Sequence, residues 1–401
     1  MLRVAMVVPH FPPPVVGGLE RQAYELALAV RRRGIDVWVL SGRFAPQQPR
    51  TQLVDGIPVV RVRFPRAKWL RFPVTGLALL HALVTRRREF DVLHLHNLSW
   101  FGGLSVLIAR ALGKPVLAKL PTATRWAFRE RSLRLRLFLS CDAIALMTSE
   151  SIDDFRRLGY PEGRIFGVTN GVATSRFHPG PPPDPGSERP LQVIFSGRLD
   201  AEKGLLDLLA VWPAVLRRIG APARLALCGE GPQEAELREA IASLRLSESV
   251  ELRGRIADMA GALQQADVFV LPSFIEGNSN AVLEAMATGL PIVSTLAGGT
   301  PLLVGPAGHP WLVTPRDRAA LEDRLVRLLT EPQTRREVGG AMLERAQTVL
   351  GIEAVAARYA SVYERLASGR RDEVRACSSP LFAAAPPPRA TPSVAIPSAG
   401  E

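Results

Sequence analysis

Apolar residues follow two rhythms along this chain. Short continuous apolar runs recur at Leu2–Val8, Asp36–Leu40, Ile57–Val62, Asp91–Leu95, Lys114–Leu120, Ala143–Met147 and Ile165–Val168. They resume at Leu191–Phe195, Ala223–Cys228, Val250–Leu252, Ala266–Leu271 and Ile292–Ser294. Runs of this length predict strands covered on both faces. Between them lie stretches with helical spacing. Leu19, Ala23, Leu26, Ala27 and Val30 place one apolar face on a helix over Leu19–Arg33, and Gly34 ends it. Further helices are predicted at Ser149–Leu158, capped by Ser149 or Ser151, and at Asp317–Leu329, Arg335–Val349 and Ile352–Leu366. Strands alternating with helices predict a parallel α/β architecture. The pattern stops at the proline-rich stretch Gly180–Ser187, a linker, and then starts again. At 401 residues the chain is also long for a single core, so two domains are expected. From Gly369 onward Ala, Pro, Ser and charge prevail without periodicity, which predicts a disordered tail over 369–401.

The chain is organised around Ser273–Pro301. The strand run Ala266–Leu271 and Pro272 lead into a loop with Glu276, Gly277, Asn278 and Ser279. A helix from Asn280 to about Thr288 follows, capped by Asn278 or Ser279, with Gly289 and Pro291 placed to stop it. Free N–H groups at such a helix start suit a phosphate. Glu276 and Glu284 lie eight positions apart, roughly 12 Å if they shared one helix. A glycosidase pair needs carboxyls about 5–9.5 Å apart. The two carboxylates therefore suit the ends of a long polar ligand, or else an ordinary solvated helix face and a loop carboxylate.

A second candidate site is Ser196–Gly204. Gly197, Arg198 and Lys203 lie between a strand and a helix, where a bidentate guanidinium and an ammonium suit a pyrophosphate. Gly229-Glu230-Gly231-Pro232 is a tight strand exit, and Arg255 follows another strand. The first strand is followed by a long proline loop ending in Gly17-Gly18. The absence of G-x-G-x-x-G there argues against a nicotinamide dehydrogenase. His94 reads as a core histidine, whereas His96, nearer its strand's end, is expected to line a cleft. No third ligand accompanies them in sequence, so no metal site is expected.

Net charge is +12 and uneven. Residues 1–187 hold about 27 Lys and Arg against about 13 Asp and Glu. That bias suggests an anionic partner for the first half. The basic aromatic stretches Phe64–Phe72 and Arg125–Phe138 suit an anionic membrane surface, or equally a surface helix with snorkelling arginines. No nucleic-acid recognition motif or aromatic sheet signature is present, so nucleic acid is not expected as a partner. No apolar run is long enough to span a bilayer, and Met1–Val8 reads as a strand, not a leader. Cys141, Cys228 and Cys377 are far apart and odd in number, which suits a reduced cytoplasmic setting.

Glu276-Gly277 followed by Leu283-Glu284-Ala285-Met286-Ala287 resembles the EX7E motif of the GT-B retaining glycosyltransferases, in particular group 1, family 4. Gly197-Arg198-Leu199 with Lys203-Gly204, Gly229–Pro232, Gly17-Gly18-Leu19-Glu20, Asp91–His96 and Asn170-Gly171-Val172 resemble other segments of that family. The resemblance spans about residues 1–367. It implies two facing Rossmann-like domains, 1–179 for the acceptor and 190–350 for a nucleotide-sugar, joined by a linker at 180–189 and closed by a crossover helix at 351–368.

By the same resemblance, Glu276 contacts the donor sugar and Glu284 the ribose. Arg198 and Lys203 hold the diphosphate, and Arg255 lies near the base. Gly17, Gly18, Gly197, Gly229, Gly231, Gly277, Asn278, Ser279 and Asn280 complete the donor site, while His96 faces the acceptor. The implied activity is metal-independent sugar transfer from a UDP-sugar, ahead of a GDP-sugar, to a glycan or lipid-linked acceptor in polysaccharide or glycolipid synthesis, with retention. No cofactor is required, and a location at the inner face of the cytoplasmic membrane would fit. The chain departs from the family in three places. Pro121-Thr122 stands where many members carry a histidine, Ala173 replaces an aspartate, and Leu302 replaces a glutamate. A non-catalytic protein of this fold and a nucleotide-sugar epimerase are the alternatives.

Overall fold

The computed structural model describes residues 1–13, 17–45, 47–65, 67–97, 100–120, 133–181 and 189–382. In the first half the elements are β1 (Arg3–Val7), α1 (Gly18–Arg32), β2 (Asp36–Arg43), β3 (Thr51–Val54), β4 (Ile57–Arg63), α2 (Lys68–Thr85), β5 (Val92–Leu95) and α3 (Trp100–Ala111). Next come β6 (Val116–Leu120), α4 (Leu133–Leu139), β7 (Ala143–Leu146), α5 (Ser149–Arg157) and β8 (Ile165–Gly167). They build an eight-stranded sheet in the order β3-β4-β2-β1-β5-β6-β7-β8. Its pairings are parallel except β3 with β4, which turn on Asp55-Gly56, both at positive φ, 47° and 80°. Such a turn matches the right-handed twist of a hairpin.

The second half gives β9 (Leu191–Ser196), α6 (Leu205–Ile219), β10 (Ala223–Cys228), α7 (Glu234–Ser243), β11 (Val250–Gly254), α8 (Met259–Gln264) and β12 (Val268–Leu271). After these come α9 (Asn280–Ala287), β13 (Ile292–Thr295), α10 (Thr300–Gly308), β14 (Leu312–Val313), α11 (Arg318–Thr330), α12 (Pro332–Thr348) and α13 (Ile352–Ala367). Its sheet has six strands, β11-β10-β9-β12-β13-β14, all parallel. The central strands are largely apolar because helices cover both faces: Val193, Ile194, Phe195, Val268 and Phe269 are fully buried.

This is the two-domain α/β architecture expected. Strand order reverses between β1 and β5 in one sheet and between β9 and β12 in the other. Ligands of doubly wound sheets bind at the carboxyl ends of the strands at such a reversal. The loops after β1, β5, β9 and β12 carry Gly17-Gly18, His96, Arg198 with Lys203, and Glu276.

The chain finally crosses back. Val355, Ala356, Tyr359 and Tyr363 of α13 are buried in the core that also holds Ala23, Leu26 and Val30 of α1. The segment beyond corrects the expected tail. Arg371–Cys377 and Pro380–Phe382 form 3-10 turns, with Val374 fully buried. Gly167 N donates to Ser378 Oγ at 2.9 Å and Ser379 N donates to Gly167 O at 2.8 Å, so this segment ties onto the free edge at β8. Two cap assignments also settle. Thr148, not Ser149 or Ser151, caps α5 by accepting from Ser151 N, and Ser279 caps α9 through Val282 N. The Arg125–Phe138 stretch lies outside the described residues through Ser132, as do Pro121-Thr122 and most of the linker.

Candidate active site

Two carboxylates on one loop–helix unit face different domains. β12 ends at Leu271, and the loop after it positions Glu276. Its Oε1 accepts from Lys203 Nζ at 2.6 Å and from Ser273 Oγ at 2.8 Å. Lys203 closes the 3-10 turn Ala201–Lys203 after β9, and Gly204, at φ 66°, lets the chain swing into α6. A Cβ at 204 would lie 2.2 Å from Pro272 O, so glycine there also permits the two loops to meet. The Lys203 and Glu276 side chains are 19% and 9% exposed. The pair is thus held at the reversal point of the second sheet, as the strand-end rule anticipates.

Glu284 lies one turn into α9, 8% exposed. Its partner comes from the other domain: Arg21 Nη1, on the first turn of α1, lies 3.2 Å from Oε1. Burial raises the carboxyl's pKa, while Arg21 and Arg176 pull it back. Arg21 also lies over the Phe177 ring at 5.3 Å, and its Nη2 is buried without a partner among the described residues.

The polar residues before and at the start of α9 bridge the domains as well. Asn170 N donates to Asn278 Oδ1 at 2.8 Å. Asn170 Nδ2 donates to Asn278 O at 3.1 Å and to Asn280 Oδ1 at 2.8 Å. Asn280 Nδ2 donates to Gly18 O at 3.0 Å, and a Cβ on Gly18 would fall 2.8 Å from that nitrogen. A side chain at position 18 would therefore displace the Asn280 amide from its bond to the Gly18 carbonyl. Gln22 and Gly171 add a reciprocal pair, Gln22 Nε2 to Gly171 O and Gly171 N to Gln22 Oε1.

Other expected residues play quieter parts. Gly229 and Gly231 make room for backbone: a Cβ at either would meet Gly197 O at 1.8 Å or Leu199 O at 2.1 Å. Gly197 N donates to Cys228 O at 3.0 Å, joining the same two loops. Gly277 O accepts from Gly299 N at 2.7 Å, stacking the loop before α9 on the loop before α10. Arg198 is brought near none of these groups. Its side chain is 71% exposed, with Asp200 at 3.7 Å. Arg255 is exposed beside β11 at the sheet edge.

His96 corrects the expectation that it lines the cleft. It is 1% exposed and lies tilted against His94, ring centroids 4.1 Å apart, with Nε2 unpartnered among the described residues. His94 Nδ1 is 2.7 Å from Tyr363 Oη on α13. Burial holds both imidazoles neutral, with pKa values well below the usual one. Sequence reasoning did not single out Arg21 or Asn170 as site residues. The available signal was adjacency: Arg21 follows Gly17-Gly18-Leu19-Glu20, and Asn170 opens the segment that closes the first domain.

Two family profiles match the chain: "Glycosyltransferase Family 4" over residues 16–176 and "Glycosyl transferases group 1" over residues 190–331. The chain belongs to the group 1, family 4 glycosyltransferases. Among curated relatives it is 25% identical to glycogen synthase of Mycobacterium tuberculosis, covering 92% of this chain and 96% of that protein. It is likewise 25% identical to a GDP-mannose-dependent monoacylated alpha-(1-6)-phosphatidylinositol monomannoside mannosyltransferase of Corynebacterium glutamicum, over 84% of this chain and 92% of that one. Among solved structures, HepE of Anabaena in complex with UDP-glucose superposes with a TM-score of 0.73 at 18% identity, covering 91% of this glycosyltransferase and all of that chain. The fold is therefore GT-B.

Proposed function

We propose that this glycosyltransferase moves a sugar from a nucleoside diphosphate donor to a glycan or lipid-linked acceptor, with retention at the anomeric carbon, in polysaccharide or glycolipid synthesis. The Lys203–Glu276–Ser273 cluster, set where the second sheet reverses and beside the start of α9, carries this reading. The bond from the anomeric carbon to the diphosphate breaks and the acceptor oxygen takes its place, while the acceptor's proton leaves with the departing phosphate. Negative charge grows on that phosphate. Lys203, the exposed Arg198 and the N–H groups opening α9 are the groups that meet it. Glu276 and Glu284 orient the sugar and the ribose. With the charge met by side chains and backbone, the reading needs no resident metal or cofactor, and chelation should leave the rate unchanged.

A UDP-sugar ranks ahead of a GDP-sugar. The UDP-glucose complex of HepE supports UDP, and the GDP-mannose-dependent relative keeps GDP in the test. Thermal-shift screening of UDP- and GDP-sugars, with Glu284→Ala as control, tests the site. A donor at about 100 times its Kd should add roughly 2.7 kcal/mol of stability. A shift with one donor that Glu284→Ala abolishes supports the assignment, and nucleotide release with acceptor separates an enzyme from a binding protein. No shift with any donor or with free UDP and GDP would overturn it. Proton NMR of the product reads the anomeric outcome.

Contact with an anionic lipid surface is part of the proposal. No described helix is long and apolar enough to cross a membrane. On α2, Trp69, Leu77 and Leu80 are 78%, 67% and 45% exposed at helical spacing, and Leu107 of α3 is 50% exposed. Exposed Arg63, Arg87 and Arg88 flank α2 at its two ends. An apolar helix face with cations beside it complements a negatively charged interface. Co-sedimentation with phosphatidylcholine vesicles should require added phosphatidylglycerol and be lost in Trp69→Ala/Leu77→Asp. Equal sedimentation with neutral vesicles, or no loss in the variant, would refute it.

A further inference from the structure

Lys119 sits on β6 with 5% of its surface exposed. Lysine almost never lies so deep without a pair. Among the described residues no carboxylate reaches it; its partner is Asn170 Oδ1, 2.9 Å from Nζ. The titratable groups beside it are His94 and His96 of β5, both neutral. Burial lowers the lysine's pKa to about 8, so at neutral pH it remains an ammonium.

An ammonium only donates, so it fixes the side-chain amide it meets. Asn170 must turn Oδ1 toward Lys119, and its Nδ2 must then point the other way. That side holds the two acceptors described above, Asn278 O and Asn280 Oδ1, and Asn280 in turn donates to Gly18 O. The chain of bonds runs from the first domain's core, across the cleft to the start of α9, and back to the glycine loop after β1. Bonds in such a series depend on one another's orientation.

We propose that Lys119 is a positioning residue. By locking the Asn170 amide it holds the Asn278–Asn280 loop across the cleft and so sets the closed spacing of the two domains. Its consequence for transfer rests on the glycosyltransferase reading above; its consequence for closure does not.

The test uses the full-length protein and needs no substrate. Amide hydrogen exchange by mass spectrometry follows the peptide around Asn170, whose N–H donates to Asn278 Oδ1, and small-angle scattering follows the radius of gyration. Lys119→Met and Asn280→Ala should each speed exchange at Asn170 on the order of tenfold and enlarge the particle. The double variant should do no more than the larger single change, because both cut one series. Asn170→Asp keeps the lysine satisfied but removes the donor facing α9, and should open the protein equally. This variant decides the matter if Lys119→Met does not fold. Wild-type exchange and size in Asn170→Asp, or additive effects in the double variant, overturn the proposal. The Kd for UDP or GDP in Lys119→Met should stay within about twofold of wild type while turnover falls, a split that general misfolding would not give. Failure of UDP and GDP to bind the wild type would sink the glycosyltransferase reading alone, leaving the exchange and scattering results interpretable.

Discussion

Arg21 and Glu284 form an ion pair at 3.2 Å across the two domains, between the first turn of α1 and the second turn of α9. The carboxylate that the family resemblance assigns to the ribose is thus already engaged by a cation from the opposite wall. Removing that cation strands a buried carboxylate. Arg21→Met should lower stability by about 2 kcal/mol, below the 3–5 kcal/mol of a wholly buried pair because Arg21 is a quarter exposed. The Glu284 carboxyl, raised by burial and held back by Arg21, should rise further. A folded-state pKa above the unfolded value means the folded protein binds the extra proton. Stability of Arg21→Met relative to wild type should therefore fall as pH rises from 5 to 8, read by urea unfolding at each pH.

Lys203 and Ser273 both donate to one oxygen of Glu276. On the proposed reading, Lys203→Ala removes the ammonium assigned to the leaving diphosphate. Transfer should drop by about 10²–10³. Calorimetric titration should show affinity for UDP or GDP falling far more than affinity for UMP or GMP, since only the former carry the second phosphate. Equal losses for both would mean that Lys203 acts on the loop and not on the phosphate.

His94 and His96 are buried neutral, with pKa values well below 6.5. The unfolded chain takes up these protons first. Stability should be at its full value above pH 6.5 and fall below it, each histidine contributing a slope of about 1.4 kcal/mol per pH unit until its folded pKa is reached. In denaturant titrations from pH 7 to 5, His96→Leu should show the shallower dependence by one proton.

Lys119 gives the opposite edge of the profile. Its pKa is lowered from 10.5 to about 8, so between those values the unfolded chain holds a proton that the folded one lacks. Wild-type stability relative to Lys119→Met should increase by roughly 2–3 kcal/mol from pH 8 to 10.5. A constant difference across that range would mean that the lysine is not buried in solution.

The strand–loop–helix around α9 was legible because its punctuation is strong: Pro272 before, Ser279 as cap, Gly289 and Pro291 after. Lys203 and Glu276 were legible from type and spacing because each sits where a strand ends. Other elements gave weaker signals. The β3–β4 hairpin turns on Asp55-Gly56, a readable cue, but β3 has only four residues at an edge and little apolar content. α2 carries Pro73 and α3 carries Gly102-Gly103, which blur a helical reading. The turns at 371–382 lack periodicity and owe their place to the β8 edge, a tertiary cause that local pattern does not express. Arg21 and Asn170, and the partner of Lys119, stayed hidden for the same reason: Arg21 meets Glu284 263 positions away and Lys119 meets Asn170 51 positions away.

The return of α13 to the first domain makes the second domain an insertion within the first. Residues 190–350 are contiguous and hold nearly all of the second core, with Val172 and Phe177 added to it. Of the first domain's two core clusters, one is assembled from residues 4–168 together with 352–377. During synthesis the second core can therefore complete before the first, even though the first begins to emerge earlier. Once residue 350 has cleared the ribosome, a finished second domain would stand beside an open first one whose α1 face still waits for Tyr359 and Tyr363.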